Sequence, residues 1–145
     1  MSIFSDNVQK IQISGIRRFF NKVAQHPEAI SLTVGQPDFK VPQKIKRAMI
    51  DAIEKDITGY TSNIGIIELR SAISKYLKTF GIDYGAEEIC ITVGGSEGIL
   101  STFMALINPG DKVIIPSIAY PAYESCVKLL GGRVISYPLL EDFSI

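Results

Sequence analysis

Apolar residues along the first half of the chain recur at intervals of three or four, which is the spacing of amphipathic helices. The predicted helices run from Ser14 to Gln25, from Pro42 to Ile53 and from Ile66 to Gly81. Serine is a favoured N-cap, proline a favoured first helical residue and glycine a favoured terminator, so these boundaries have a chemical reason. Between the first two helices, Ala29–Val34 predicts a short strand that ends at a turn over residues 35–38.

The pattern changes after residue 88 to short runs of isoleucine and valine that alternate with helical segments. Strands are predicted at residues 89–93, 112–115 and 133–137, with helices over Ser96–Asn108 and from Pro121 to Gly131. Continuous apolar strands are typical of a parallel sheet covered on both faces, which makes the fold class α/β. The helix over Ser96–Asn108 is apolar on almost every side, so we expect it to be buried. Because the chain stops directly after the third strand, with a sheet edge open, we expect it to be a truncated part of a larger domain.

The composition limits the kinds of binding partner that we expect. Lys and Arg number 15 and Asp and Glu number 15, which gives no electrostatic reason to expect nucleic acid or an anionic membrane. No apolar run is long enough to span a membrane, and the N-terminus lacks the apolar core of a signal peptide. The one histidine, His26, has no cysteine cluster nearby, so no metal site is predicted. Cys90 and Cys126 lie in apolar segments and are expected to fill the core of a cytoplasmic protein, where thiols stay reduced.

The segment Thr92–Gly98 joins a predicted strand to a helix and is the strongest local candidate for chemistry. At the carboxyl end of a parallel strand, glycines let backbone amides approach a ligand, and a helix N-terminus adds N–H groups and a positive dipole. A phosphate dianion suits such an environment. Many turns of this type carry Gly-Gly-Ser simply to make the corner, and Glu97 equally fits a helix-stabilising role in the first turn.

Two tyrosines in predicted loops are further candidates. Tyr120 precedes the helix-opening Pro121 at the carboxyl end of a strand, so we expect it near the glycine loop, where its ring is suited to stack on a flat heterocycle. Tyr60 lies in the loop Gly59–Gly65. Each tyrosine, taken alone, is also a common kind of packed or surface aromatic residue.

Five segments occur in a characteristic order: SLTVGQPDF at 31–39, the residues from Tyr60 through Gly65 to Leu69 and Arg70, TVGGSE from Thr92, PGDKVII from Pro109, and Tyr120-Pro121. With these spacings the whole chain resembles the N-terminal part of class I/II aminotransferases, the fold-type-I pyridoxal-phosphate (PLP) enzymes. It is most similar to the bacterial branch of aspartate, aromatic and N-acetyl-diaminopimelate aminotransferases. The resemblance implies an N-terminal arm and small-domain segment at residues 1–39. Residues 40–145 would be the incomplete beginning of the PLP-binding large domain.

The resemblance also implies roles for individual residues. Gly95, Ser96 and the Glu97 amide would cradle the cofactor phosphate through backbone N–H groups and the Ser96 hydroxyl. Tyr120 would stack on the pyridine ring. Tyr60 would reach across the two-fold axis of a homodimer to the phosphate of the partner subunit.

On the substrate side, the resemblance places Gly35 near the substrate carboxylate, and it implies transfer of an amino group between an amino acid and a 2-oxo acid. The family's cofactor-binding lysine has no counterpart here, and neither do the carboxylate that pairs with the pyridine nitrogen or the substrate-binding arginine. No catalytic residue is therefore assigned, and the isolated chain is expected to be inactive. PLP-dependent β-lyases and cyclopropane-forming (ACC) synthases share these N-terminal motifs and are alternatives. A non-catalytic aminotransferase-like sensor domain is an alternative of another class.

Overall fold

The computed structural model describes residues 2–11, 15–30, 32, 35, 37–142 and 144. Their helices are α1 (Asp6–Gln9), α2 (Gly15–Val23), α3 (Gln43–Glu54), α4 (Ile67–Lys78), α5 (Gly94–Leu106) and α6 (Pro121–Leu129), and their strands are β1 (Lys112–Pro116) and β2 (Arg133–Tyr137). A 3₁₀ turn covers Ala86–Glu88. The chain divides into two compact units, one of Met1–Val34 with Val93–Ile145 and the other of Gly35–Thr92. The division into domains after residue 39 stays a prediction.

The first unit contains a parallel β1–α6–β2 arrangement, as the apolar runs predicted. The two strands pair in register from Lys112 with Arg133 to Pro116 with Tyr137. The pairing extends beyond the strand ends, because the Ser117 N–H donates a hydrogen bond of 2.7 Å to the Tyr137 carbonyl. The predicted strands at 112–115 and 133–137 and the parallel α/β class are therefore confirmed.

The core of this unit lies between the strands and α6. Val127 of α6 is fully buried and Ile115 of β1 is 7% exposed. A Cβ at Gly132 would lie 2.9 Å from Val127 Cγ1 and 3.2 Å from Ile107 Cγ2, so the missing side chain lets the backbone leading into β2 pack closely on the core.

The predicted strand at 89–93 is wrong. The segment is extended at Ile89 (φ −112°, ψ 128°), and the Ile91 N–H donates to the Ile64 carbonyl over 3.0 Å, but no strand forms there. Apolar β-branched residues favour an extended backbone, whereas a strand also needs a neighbouring strand with which to form a ladder of hydrogen bonds. Cys90 of this segment is exposed, which also contradicts its expected place in the core. Cys126 is partly buried, and burial raises the pKa of its thiol.

Two predictions near the N-terminus fall partly outside the described residues. The helix predicted from Ser14 is confirmed as α2, but the proposed cap, Ser14, lies outside them. Of the strand predicted over Ala29–Val34, residues 31, 33 and 34 also lie outside. Ile30 and Leu32 are described, form no strand and are 91% and 94% exposed.

Helix α5 is less buried than its composition predicted. Its described neighbour in the fold is α6, against which it packs. Met104 is 63% exposed and Leu106 is 70% exposed, and every residue of α5 is at least partly exposed. The sequence shows how apolar a helix is, but the helix is buried only where other elements cover it on every side. Among the described elements, only α6 packs against α5.

In the second unit, α3 and α4 confirm the predicted helices. Pro42 immediately precedes α3, and Gly81, with φ +76°, follows the end of α4. A positive φ is a backbone conformation that glycine adopts without the strain felt by other residues, which explains why the helix ends there.

Two buried polar side chains of α4 hold the second unit together. Arg70 is 8% exposed; its Nε donates to the Gly65 carbonyl over 3.1 Å and its Nη1 donates to the Ala86 carbonyl over 2.6 Å. One helical turn later, the Ser74 hydroxyl donates to the Tyr84 carbonyl over 2.6 Å. A buried polar group must find hydrogen-bond partners, and here the partners are backbone carbonyls of the loops on either side of α4.

We expect Arg70→Met to lower the free energy of unfolding by about 1–3 kcal/mol, because methionine fills similar space but leaves two carbonyls without their donor. Urea unfolding followed by circular dichroism measures the difference. Arg47→Met is the matched control: Arg47 forms an exposed pair with Asp51 on α3 (2.9 Å), and such pairs contribute about 0.5 kcal/mol or less. Equal effects of the two substitutions would contradict a structural role for the Arg70 hydrogen bonds.

Candidate functional site

The glycine loop before α5 forms a sharp turn in the first unit. Val93 is the N-cap residue (φ −77°, ψ 78°), and Gly94 begins the helix with φ +77°. A positive φ at this corner favours glycine. The amide groups of the next residues, Gly95, Ser96 and Glu97, lie in the first turn, where a helix offers no acceptor of its own. The predicted glycine corner is thus present, with its donors at the N-terminus of α5.

The Glu97 carboxylate has a defined structural role. It accepts a hydrogen bond from the Val93 N–H, which lies at the start of the same turn. This bond caps the helix and fixes the loop, and the negative charge suits the positive end of the helix dipole. The side chain therefore supports the corner, as the simpler interpretation of Glu97 expected, while its backbone N–H belongs to the group of first-turn donors.

The structure brings Ser96 and Tyr120 together, although 24 positions separate them in sequence. Ser96 Oγ lies 3.2 Å from the Tyr120 hydroxyl oxygen, within hydrogen-bond distance. Tyr120 is the N-cap residue of α6, followed by Pro121 at the first helical position. Its ring packs edge to face on Tyr123, with the ring centres 5.8 Å apart. The expectation that Tyr120 lies near the glycine loop is confirmed.

The space beside the loop suits an anion and a flat ring. A Cβ placed on Gly95 would meet no heavy atom within 4 Å, so the approach to these amides is open. The donors are backbone N–H groups and the Ser96 hydroxyl, which suit a phosphate dianion. Tyr120 also lines a cavity of about 270 Å³, together with Ser117, Glu124 and Ser136. The residues present fit PLP, a phosphate-bearing aromatic cofactor.

The remaining predicted site residues, Gly35 and Tyr60, lie in the second unit. Gly35 is exposed at the beginning of that unit, and the Tyr60 side chain is fully exposed. The loop that carries Tyr60 is fixed at its far end, because the Gly65 N–H donates to the Ser62 carbonyl over 2.9 Å and the Gly65 carbonyl accepts from Arg70. Tyr60 thus projects from a loop with an anchored end.

Two contacts at these positions were not foreseen from the sequence. One is the hydroxyl pair of Ser96 and Tyr120, and the other is the pair of carbonyls held by Arg70. The sequence did contain an indication of the Arg70 contacts. Arg70 follows Ile66 by four positions and precedes Ile73 by three, so a charged residue stands within the apolar stripe of α4, where it must be buried with partners.

Metal and membrane sites are not found in the part of the chain that the structure describes. Among those residues, no group of three or more His, Cys, Asp or Glu side chains is arranged to hold a metal ion. No helix formed by them has the length and apolar character needed to cross a membrane.

Comparison with known proteins gives consistent matches. The family model for aminotransferase class I and II matches residues 27–145. The chain is 44% identical over 135 residues to a probable N-acetyl-LL-diaminopimelate aminotransferase of Bacillus subtilis, covering 92% of this chain and 34% of that protein. It is 39% identical over 139 residues to an aspartate aminotransferase of Pyrococcus horikoshii, covering 95% of this chain and 36% of that protein.

Solved structures agree with these relatives. The aspartate aminotransferase from Thermus thermophilus with maleate superposes with a TM-score of 0.91 at 31% identity, covering 98% of this chain and 38% of that one. The chain therefore spans about a third of the length of the curated relatives that it matches.

Proposed function

The chain belongs to the class I and II aminotransferases, and we propose that it is the N-terminal part of an enzyme that transfers an amino group between an amino acid and a 2-oxo acid, with PLP as cofactor. The observation that carries the proposal is the distance of 3.2 Å between the hydroxyls of Ser96 and Tyr120 beside the first turn of α5. This contact places a loop suited to phosphate next to an aromatic ring suited to a heterocycle, within one unit of the fold.

In this proposal the first unit holds the cofactor. The amides of Gly95, Ser96 and Glu97 and the Ser96 hydroxyl donate hydrogen bonds to the phosphate, and the dipole of α5 stabilises its charge. The Tyr120 ring stacks on the pyridine ring and limits its tilt. Support comes from the open approach at Gly95 and from the use of the Glu97 carboxylate in capping the helix, which ties that charge to the Val93 N–H.

When bound, PLP supplies an electron sink for the negative charge that develops at the α-carbon of the amino acid. The residues of this chain bind and orient, and none of its lysines matches the family's cofactor-binding lysine. We therefore expect the isolated chain to be inactive, with the remaining catalytic groups supplied by the rest of the enzyme.

Gly35 and Tyr60 complete the proposed roles. Gly35 lies beside the substrate carboxylate, where the absence of a side chain leaves room. The enzyme is a homodimer in which Tyr60 reaches the phosphate of the partner subunit, a reciprocal contact of the kind that two-fold symmetry produces. The full exposure of Tyr60 on an anchored loop supports this role. The two unpaired thiols, Cys90 and Cys126, suit a cytoplasmic location.

A hybrid enzyme tests the proposal. In it, this chain replaces the matching N-terminal third of the Bacillus subtilis relative and is followed by the remainder of that protein. We expect the hybrid to retain PLP, seen as visible absorbance after gel filtration, and to transfer amino groups to a 2-oxo acid. The 145-residue chain alone should do neither.

The remainder of the relative, expressed without this chain, is the negative control, and the unaltered relative is the positive one. A hybrid that matches the relative in size and circular dichroism, yet retains no cofactor, would contradict the proposed binding role of this chain.

A further inference from the structure

The contact between Ser96 and Tyr120 joins two elements that fix it from both sides. Ser96 stands in the first turn of α5, directly before Glu97, whose carboxylate caps that helix. Tyr120 stands at the N-cap of α6, held by Pro121 at the first helical position and by its edge-to-face contact with Tyr123. Since α5 and α6 pack on each other, the fold itself brings the two hydroxyls to 3.2 Å.

The chemistry of the two hydroxyl groups indicates which of them donates the hydrogen bond. A serine or tyrosine hydroxyl has one proton to donate and two lone pairs that accept. If Ser96 donated to Tyr120, its only proton would be turned away from a bound anion. A phenol is the stronger donor of the two, because it is the more acidic alcohol, so donation from Tyr120 to Ser96 is favoured. The nearby Glu97 carboxylate does not need the Ser96 proton, since it accepts from the Val93 N–H.

We propose that the Tyr120 hydroxyl positions the Ser96 hydroxyl: it donates its proton to Ser96 Oγ, and the Ser96 proton is then directed to a bound phosphate. This inference rests on the proposed function. It gives Tyr120 a second role, because the hydroxyl orients a phosphate donor while the ring contacts the heterocycle. Hydrogen bonds in such a chain polarise one another, so the Ser96 hydroxyl becomes a better donor to the anion.

A purely stacking role makes a different prediction. Phenylalanine has the same ring as tyrosine, and Tyr120→Phe would then leave phosphate recognition unchanged or would affect ligands with and without a phosphate equally. A positioning role affects only the ligand that carries the phosphate. The two roles are therefore separated by comparing pyridoxamine 5′-phosphate with pyridoxamine, which share the ring and differ in the phosphate.

The experiment uses the hybrid enzyme, freed of PLP, and follows the fluorescence anisotropy of each ligand during titration. Neither ligand has an aldehyde, so no lysine is needed for binding. We expect Tyr120→Phe to weaken binding of pyridoxamine 5′-phosphate about three- to tenfold and to leave pyridoxamine binding unchanged. In a Ser96→Ala background, Tyr120→Phe should have no further effect, because the group that it positions is gone.

Tyr123→Phe is the matched control, since it removes the same hydroxyl from the ring that packs on Tyr120; it should leave both affinities unchanged. Circular dichroism verifies that each variant is folded. Equal weakening of both ligands by Tyr120→Phe, or an undiminished effect in the Ser96→Ala background, would overturn the positioning role and leave the proposed function intact. If the unaltered hybrid enzyme shows no preference for the phosphorylated ligand, the proposed phosphate site and this inference are both overturned.

Discussion

Replacing Gly65 with alanine is expected to lower the free energy of unfolding of the unit Gly35–Thr92 by about 2–4 kcal/mol. Gly65 has φ +95°, a conformation that costs other residues about 1–2 kcal/mol. A Cβ there would also lie 2.8 Å from Ile91 Cβ, and still closer to Ile91 Cγ1. The added methyl group would push apart the segments joined by the hydrogen bond from the Ile91 N–H to the Ile64 carbonyl.

Urea unfolding followed by circular dichroism measures this loss, and Gly59→Ala is its control at the other end of the same loop. A Cβ at Gly59 meets no heavy atom within 4 Å, and its φ is not in the left-handed range. We expect Gly59→Ala to change stability by less than about 1 kcal/mol in either direction. If Gly65→Ala is as mild as the control, the close packing of Gly65 on Ile91 is not a feature of the folded protein.

Replacing Ser96 with alanine in the hybrid enzyme is expected to weaken PLP binding roughly ten- to a hundredfold. A hydrogen bond from a hydroxyl to a phosphate dianion is charge-assisted and contributes about 1.5–3 kcal/mol. Equilibrium dialysis of the cofactor measures the change. Gly95→Val should weaken binding more, because a branched side chain would fill the open approach to the amides.

Ser101→Ala, an exposed position on α5, provides the matched control and should leave PLP affinity unchanged. The thermal midpoint of each variant is recorded beside its affinity. Unchanged PLP affinity in Ser96→Ala together with a lowered midpoint would mean that the loop is an ordinary helix corner without a role in phosphate binding.

Sequence patterns predicted an element correctly where the residues of that segment alone determine its structure. The runs of valine and isoleucine at 112–115 and 133–137 predicted β1 and β2, and helical spacing predicted α3 and α4. The segment 89–93 has the same composition and forms no strand, because strand formation depends on a neighbour that composition does not describe. The exposure of Met104 on α5 has the same origin, since an apolar helix becomes buried only where other elements cover it.

The candidate site was likewise predictable from the sequence only in part. The glycine corner and its proximity to Tyr120 were expected from the sequence, although the strand predicted before the corner does not form. The contact between the Ser96 and Tyr120 hydroxyls was not foreseen. The bond from the Val93 N–H to the Glu97 carboxylate, which fixes the corner, depends on a side-chain direction that spacing alone leaves open. The same holds in the other unit for the bonds from Arg70 to two carbonyls.

The β1–α6–β2 arrangement has a consequence for the chain during its synthesis. The two strands that pair are separated only by α6 and its short connections, so the loop that closes when they meet is short and its entropic cost is modest. Pairing requires nothing beyond Tyr137 and can therefore begin as soon as that residue has left the ribosome. In the structure Ile114 pairs with Ile135, and the two side chains are 70% and 44% exposed, so the paired strands present an apolar strip. Such a strip is the kind of surface that chaperones bind and that otherwise promotes aggregation.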